Sequence, residues 1–141
     1  MRGIGNAPVS FGVFGTTAGS ASPADMLDAL SVAGYAGSEL GPPGLFGTAA
    51  EAADAFAEAG LSAIGAYVPL HLAMDESTFE SDLARMALTC DELQATGASL
   101  AILADEGSPD LLANPARTDR QGALDTAQWE LATRRLARAV A

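Results

Sequence analysis

Three short junctions, Ala33-Gly34-Tyr35, Ala59-Gly60-Leu61 and Thr96-Gly97-Ala98, each close an amphipathic segment on a glycine and open an apolar run directly after it. A glycine just past the last periodic residue of a helix takes the left-handed conformation that ends it. A short apolar run beyond such a stop reads as a buried strand. The glycines stand at 34, 60 and 97, hence 26 and 37 residues apart, so the repeat is architectural rather than one of sequence. Strands alternating with helices pair in parallel, because each helix returns the chain to the same end of the sheet by a right-handed crossover.

The segments between the junctions carry their own start signals. Residues 7–14 predict a first buried strand bounded by Gly15. Ser22-Pro23-Ala24-Asp25 then supplies an N-cap, a proline at the first helical position and an acid in the first turn, with Met26, Leu27, Leu30 and Ala33 on one face. Residues 35–40 predict a second strand, and Thr48-Ala49-Ala50-Glu51 is a capping box opening a helix that carries Phe56. Residues 61–69 predict a third strand; Ser77-Thr78-Phe79-Glu80 opens a third helix with apolar residues at 79, 83, 86, 90 and 93. Residues 98–104 predict a fourth strand ending in Asp105-Glu106-Gly107. The connection over residues 107–124 is long enough to cover a site. Asp125-Thr126-Ala127-Gln128 opens a last helix, with Trp129, Ala132, Leu136 and Ala139 along one packing face.

The fold class is therefore α/β. Four βα units in 141 residues scale to about the 250 residues of a closed barrel. We expect a (β/α)8 TIM barrel of which this chain supplies about the first four βα units, as a single domain over residues 1–141 forming its N-terminal half. The rival, an open four-stranded sheet, would leave an unpaired parallel edge to be covered.

Composition removes several function classes. Eighteen acids against seven bases give a net charge of −11, which repels phosphate backbones and predicts no nucleic-acid partner. All seven bases are arginine; without lysine, Schiff-base chemistry and a phosphate-cradling Gly-Lys-Ser/Thr loop are excluded within this chain. One cysteine, Cys90, makes neither an intrachain disulfide nor a zinc cluster; its place on the third helix's apolar stripe predicts a core thiol. No apolar run approaches the roughly 18 residues of a membrane span, and the opening Met-Arg-Gly-Ile-Gly-Asn-Ala-Pro has no apolar leader core. We expect a cytoplasmic protein without a membrane partner.

In βα architectures the C-terminal strand ends face the ligand, so the polar residues closing each run are the site candidates. These are Ser10, Glu39, His71 with Tyr67, and Asp105 with Glu106. Glu39 precedes Gly41-Pro42-Pro43-Gly44, a rigid turn that would pre-organise the carboxylate, either for substrate hydroxyls or for an arginine at the barrel rim. His71, the one histidine, would bind a substrate oxygen, shuttle a proton or serve structurally. Glu106 is a site acid or the polar exit of an apolar strand. Asp82, Asp91, Glu92 and the Arg134-Arg135-Arg138 cluster fall off the apolar stripes and predict solvated surface.

Asn6-Ala7-Pro8-Val9-Ser10-Phe11-Gly12, the stretch Gly34-Tyr35-Ala36-Gly37-Ser38-Glu39-Leu40-Gly41-Pro42-Pro43-Gly44, and Ala59-Gly60-Leu61 carry a resemblance along the whole chain. It resembles the sugar phosphate isomerase/epimerase family of xylose-isomerase-like barrels, and within it the inosose-dehydratase-like branch. The resemblance implies a sugar or polyol substrate touched by Glu39, His71, Glu106, Tyr67 and Phe11, with the catalytic residues left open and no metal ligand assigned here. It implies a divalent metal (Mn, Mg, Co or Zn) for the full barrel, held by Glu, Asp, His or Gln of later strands beyond residue 141. The implied chemistry is proton transfer next to a carbonyl, shared by isomerisation, epimerisation and dehydration. The alternative is a non-catalytic half-barrel that binds a polyol or assembles with another chain, a homo-oligomer included. Abasic-site endonucleases are similar barrels with a metal-binding histidine on the third strand, a second role for His71, but the charge opposes DNA.

Overall fold

The computed structural model describes residues 3–14, 21–109, 113 and 123–141. Helix starts lie where capping residues stand. Ser22 Oγ accepts the Asp25 N–H at 3.1 Å and Pro23 opens α1, Pro23–Val32. Thr48 Oγ1 accepts the Glu51 N–H at 3.3 Å while Glu51 returns Oε2 to the Thr48 N–H at 2.7 Å, opening α2, Ala49–Glu58. For α3, Glu76–Thr96, the acceptor is Asp75, two residues ahead of the predicted Ser77. Hydrogen bonds from the Ser77 hydroxyl and from the Thr78 N–H and hydroxyl hold the Asp75 carboxyl well below the usual carboxylate range. Asp125 and Gln128 form the reciprocal pair that opens α4, Thr126–Ala139. The junction glycines have φ of 81° at Gly34, 68° at Gly60 and 73° at Gly97, the left-handed stop that side chains resist.

Four strands, β1 Gly5–Asn6, β2 Gly37–Glu39, β3 Ser62–Leu70 and β4 Ala101–Asp105, form one sheet in the order β1-β2-β3-β4. β1 and β2 pair in parallel with Gly5 opposite Gly37; β2 and β3 pair in parallel with Gly37 opposite Ser62. Between β3 and β4 the Ala66 N–H donates to Leu100 O at 3.0 Å and the Glu106 N–H to Leu70 O at 2.9 Å. Residue numbers rise together in both bonds, so this pairing is parallel too. Parallel strands in sequence order, each followed by its helix, are the wall of a (β/α) barrel.

The first strand departs from expectation. It is Gly5–Asn6, and Pro8–Phe11 form a 3-10 turn inside the predicted strand 7–14. Pro8 has no N–H for a ladder and its fixed φ suits the first position of a helical turn, which Gly12 closes at φ 80°.

The chain groups into two compact units. The first comprises Met1–Val68 and Arg85–Leu103, the second Pro69–Ala84 and Ala104–Ala141. In the first, Leu27, Leu30, Leu40, Phe56, Leu61 and Leu93 are buried together, with Phe11, Tyr35 and Phe46 packed against them. In the second, Leu70, Leu72, Phe79, Ala132 and Ala139 are buried.

Helix α3 corrects the predicted face. Its buried residues are Phe79, Asp82, Thr89, Glu92 and Leu93, while Cys90 is exposed and is not a core thiol. Asp82 and Glu92 are therefore not solvated surface: each turns inward because a backbone N–H of another segment needs an acceptor there. On α4, Trp129 is 62% exposed rather than packed, and Arg135 is buried where sequence placed it on the surface. Arg135 goes inward because carbonyls and a carboxylate receive its guanidinium. The predicted covering connection falls largely on residues outside those described. Among the described residues no helix is long and apolar enough to cross a membrane.

Candidate functional site

In the second unit, His71 follows β3 directly. Its backbone N–H donates to Asp82 Oδ2 at 2.7 Å, and its Nδ1 lies 3.0 Å from the same oxygen. The Asp82 side chain has 0% exposure and the His71 side chain 28%. An ionised carboxylate only accepts, so against an ionised Asp82 the contact places a proton on Nδ1, and in the neutral imidazole Nε2 then carries the lone pair. A group so arranged takes a proton from a ligand hydroxyl or carbon acid, or accepts a hydrogen bond from it.

The loop past His71 is held from several directions. The Leu72 N–H donates to Asp105 Oδ1 at 3.0 Å, and the Met74 N–H to His71 O at 3.3 Å. The Glu106 N–H on Leu70 O brings Glu106 beside the end of β3. His71 and Glu106 thus follow neighbouring strand ends, and Asp105 braces the loop after β3.

In the first unit, Glu39 ends β2 at a register shift: Ser38 pairs with Ala63, but Glu39 pairs with Gly65. Such a bulge re-aims the side chain that follows it. Burial pushes the Glu39 carboxyl up from the ordinary glutamate value, and among the described residues this carboxylate has no hydrogen-bond partner. The turn that follows is fastened by its backbone. The Gly44 N–H donates to Glu92 Oε1 at 2.7 Å, and the Leu45 N–H to Pro42 O at 3.1 Å. Phe46 meets Phe56 edge to face at 5.2 Å between ring centroids. A Cβ on Gly41 would come within 3.1 Å of Pro8 Cγ, so the turn packs on the segment after β1. Burial also pushes the Glu92 carboxyl up, against the lowering effect of the Gly44 N–H. Tyr67, on β3, is exposed by 40%, and Phe11 is partly buried against the first unit's core.

The sequence reading missed Asp82, Glu92 and Arg135. The only available signal was ambiguous: steps 79-82-86-89-93 fit a helix face as well as 79-83-86-90-93, but place Asp82 and Thr89 inside. Among the described residues no group of three or more His, Cys, Asp or Glu is placed to hold a metal ion.

The fold and these strand ends define a parallel α/β chain of the (β/α)-barrel type. Among solved structures it is similar to a xylose isomerase-like TIM barrel/4-hydroxyphenylpyruvate dioxygenase fusion protein, with a TM-score of 0.56 and 20% sequence identity. The match covers 93% of this chain and 20% of that one. At this identity the likeness establishes the fold. No family model matches the sequence, and no curated protein matches it.

Proposed function

We propose that the chain belongs to a sugar isomerase, epimerase or dehydratase that moves a proton next to a carbonyl of a sugar, sugar phosphate or keto-inositol. The observation that carries this reading is the His71–Asp82 pair at the end of β3. A barrel presents its chemistry at that end of its strands. An imidazole with Nδ1 committed to a buried carboxylate keeps Nε2 as a directed proton acceptor, the arrangement general base catalysis uses. Glu39 fits a complementary role: a partly buried carboxyl with a raised proton affinity exchanges hydrogen bonds with substrate hydroxyls. Glu106 stands beside β3 as a second acid. The divalent metal implied for such barrels would polarise the carbonyl and hydroxyl oxygens; on this reading its ligands are not complete within the described residues. The partner is a small sugar or polyol in the cytoplasm, and not nucleic acid.

The test is turnover of a panel of aldoses, ketoses and inososes by the whole protein supplied with Mn²⁺ or Mg²⁺. The reading expects a primary isotope effect when the hydrogen next to the carbonyl is deuterium, and loss of turnover in His71→Asn. Turnover unchanged in that variant overturns the role of His71.

A second reading, a non-catalytic barrel segment that assembles with another chain, is favoured by Ile64 and Leu100, which stand exposed in the first unit. Native mass spectrometry tests it: an even homo-oligomer with no turnover supports assembly, an active monomer contradicts it.

A further inference from the structure

We infer that Arg135 is a positioning residue of the His71 site, whose guanidinium fixes the carbonyls of Leu72 and Met74 and through them the direction of the imidazole. The inference rests on the reading of His71 as the ligand-facing group. Arg135 Nη1 donates to Leu72 O at 3.1 Å and to Met74 O at 2.6 Å, while Nη2 donates to Glu76 Oε2 at 2.6 Å. The guanidinium carbon lies 4.9 Å from the ring centroid of Phe79, a fully buried residue. Arg135 itself is only 6% exposed.

These contacts complete the fastening of one short stretch. The peptide before His71 is held through its N–H by Asp82. The peptide after it is held through the Leu72 N–H by Asp105 and through the His71 carbonyl by Met74. The next carbonyl, that of Leu72, and the carbonyl of Met74 end on Arg135. The backbone on both sides of His71 sets its Cα–Cβ direction, and Asp82 then sets the ring rotation. Releasing two carbonyls lets the loop turn His71 away from Asp82 Oδ2, and the tautomer preference goes with that contact. Lysine cannot stand in, because a single ammonium does not offer a planar fork to three acceptors while stacking on an aromatic face. Arg138 differs: it is half exposed and, among the described residues, reaches the carboxylates of Glu76 and Glu80 and the Phe79 ring rather than backbone carbonyls.

These 141 residues hold one histidine, and the ring ¹⁵N signals that vanish in His71→Asn are those of His71. They are recorded at one fixed pH for wild type, Arg135→Lys and Arg138→Lys. Wild type is expected with Nδ1 protonated and Nε2 unprotonated. Arg135→Lys is expected to lower that tautomer preference about three-fold or more, the size of one modest hydrogen bond, while Arg138→Lys leaves it unchanged. A folded Arg135→Lys protein with an unaltered tautomer ratio overturns the positioning role and leaves the reading of His71 standing. A wild-type protein with the proton on Nε2 overturns the reading of His71 itself. If Arg135→Lys does not fold, sub-denaturing urea is applied to wild type. Joint loss of slow Arg135 Nη exchange and of the tautomer preference supports the inference, and loss of the first without the second overturns it.

Discussion

The loop that leaves β2 and the loop that leaves β3 both carry a predicted site residue and both lean on α3, but α3 serves them differently. After β3, Asp82 takes the side chain of His71 as well as its backbone N–H, so the functional group itself is committed. After β2, Glu92 takes only the backbone N–H of Gly44, and Glu39 keeps its carboxylate without a partner among the described residues. One helix thus lends two buried carboxylates, one bonded to the ring and backbone of His71 and the other to the backbone of a turn beside Glu39. On the proposed function, the difference suits a base that has to present one tautomer and an acid that has to exchange hydrogen bonds with whatever binds.

The largest expected effect comes from removing the acceptor at the β3 loop. Asp82→Ala strands two donors of His71 and is expected to cost about 3 kcal/mol of stability, as bonds to charged acceptors do, read by urea denaturation. Asp82→Asn is expected to retain more stability yet lose the tautomer preference, separating fold from function.

At the β2 loop the effect is smaller. Glu92→Ala leaves the Gly44 N–H without its acceptor and is expected to cost about 1–2 kcal/mol. Glu92→Gln keeps an acceptor, relieves the burial of charge, and is expected to unfold at or above the wild-type midpoint at neutral pH.

A pH series sharpens this contrast. Burial raises the carboxyls of Glu39 and Glu92, so between the ordinary glutamate value and their raised values the folded chain holds more protons than the unfolded one. Their burial cost is absent below that window and complete above it, so stability falls as pH rises through it. Glu39→Gln/Glu92→Gln is therefore expected to match wild type in acid and exceed it at neutral pH. Asp75 and Glu51, held low by capping bonds, act with the opposite sign and lose their contribution as pH falls. The smallest change is away from both loops: Thr48→Ala removes one cap and is expected to cost about 1 kcal/mol.

Helix caps and junction glycines were legible because their causes are local. Ser22, Thr48 and Asp125 bond to atoms three residues away, and a glycine stop depends on its own φ. The β3 run at 61–69 became Ser62–Leu70 for the same reason, since a buried strand needs only an apolar stretch between stops. β1 was misread because an apolar run containing Pro8 satisfies the pattern of a strand while the ring denies the ladder. His71 and Glu106 could be named as residues closing apolar runs. What holds them could not: Asp82 is 11 residues from His71, Glu92 is 48 from Gly44, and Arg135 is 63 from Leu72. Periodicity assigns charged residues outward by default, and only a distant backbone group in need of a partner overrules it.

The most direct measurement is a titration of the ¹⁵N-labelled whole protein with a panel of aldoses, ketoses and inositols, following the two ring nitrogens of His71. Binding at the strand ends predicts that Nε2 moves saturably for at least one sugar or polyol while Nδ1 stays protonated against Asp82. A ligand that binds with both nitrogens unmoved, or with Nδ1 displaced and Nε2 silent, contradicts it.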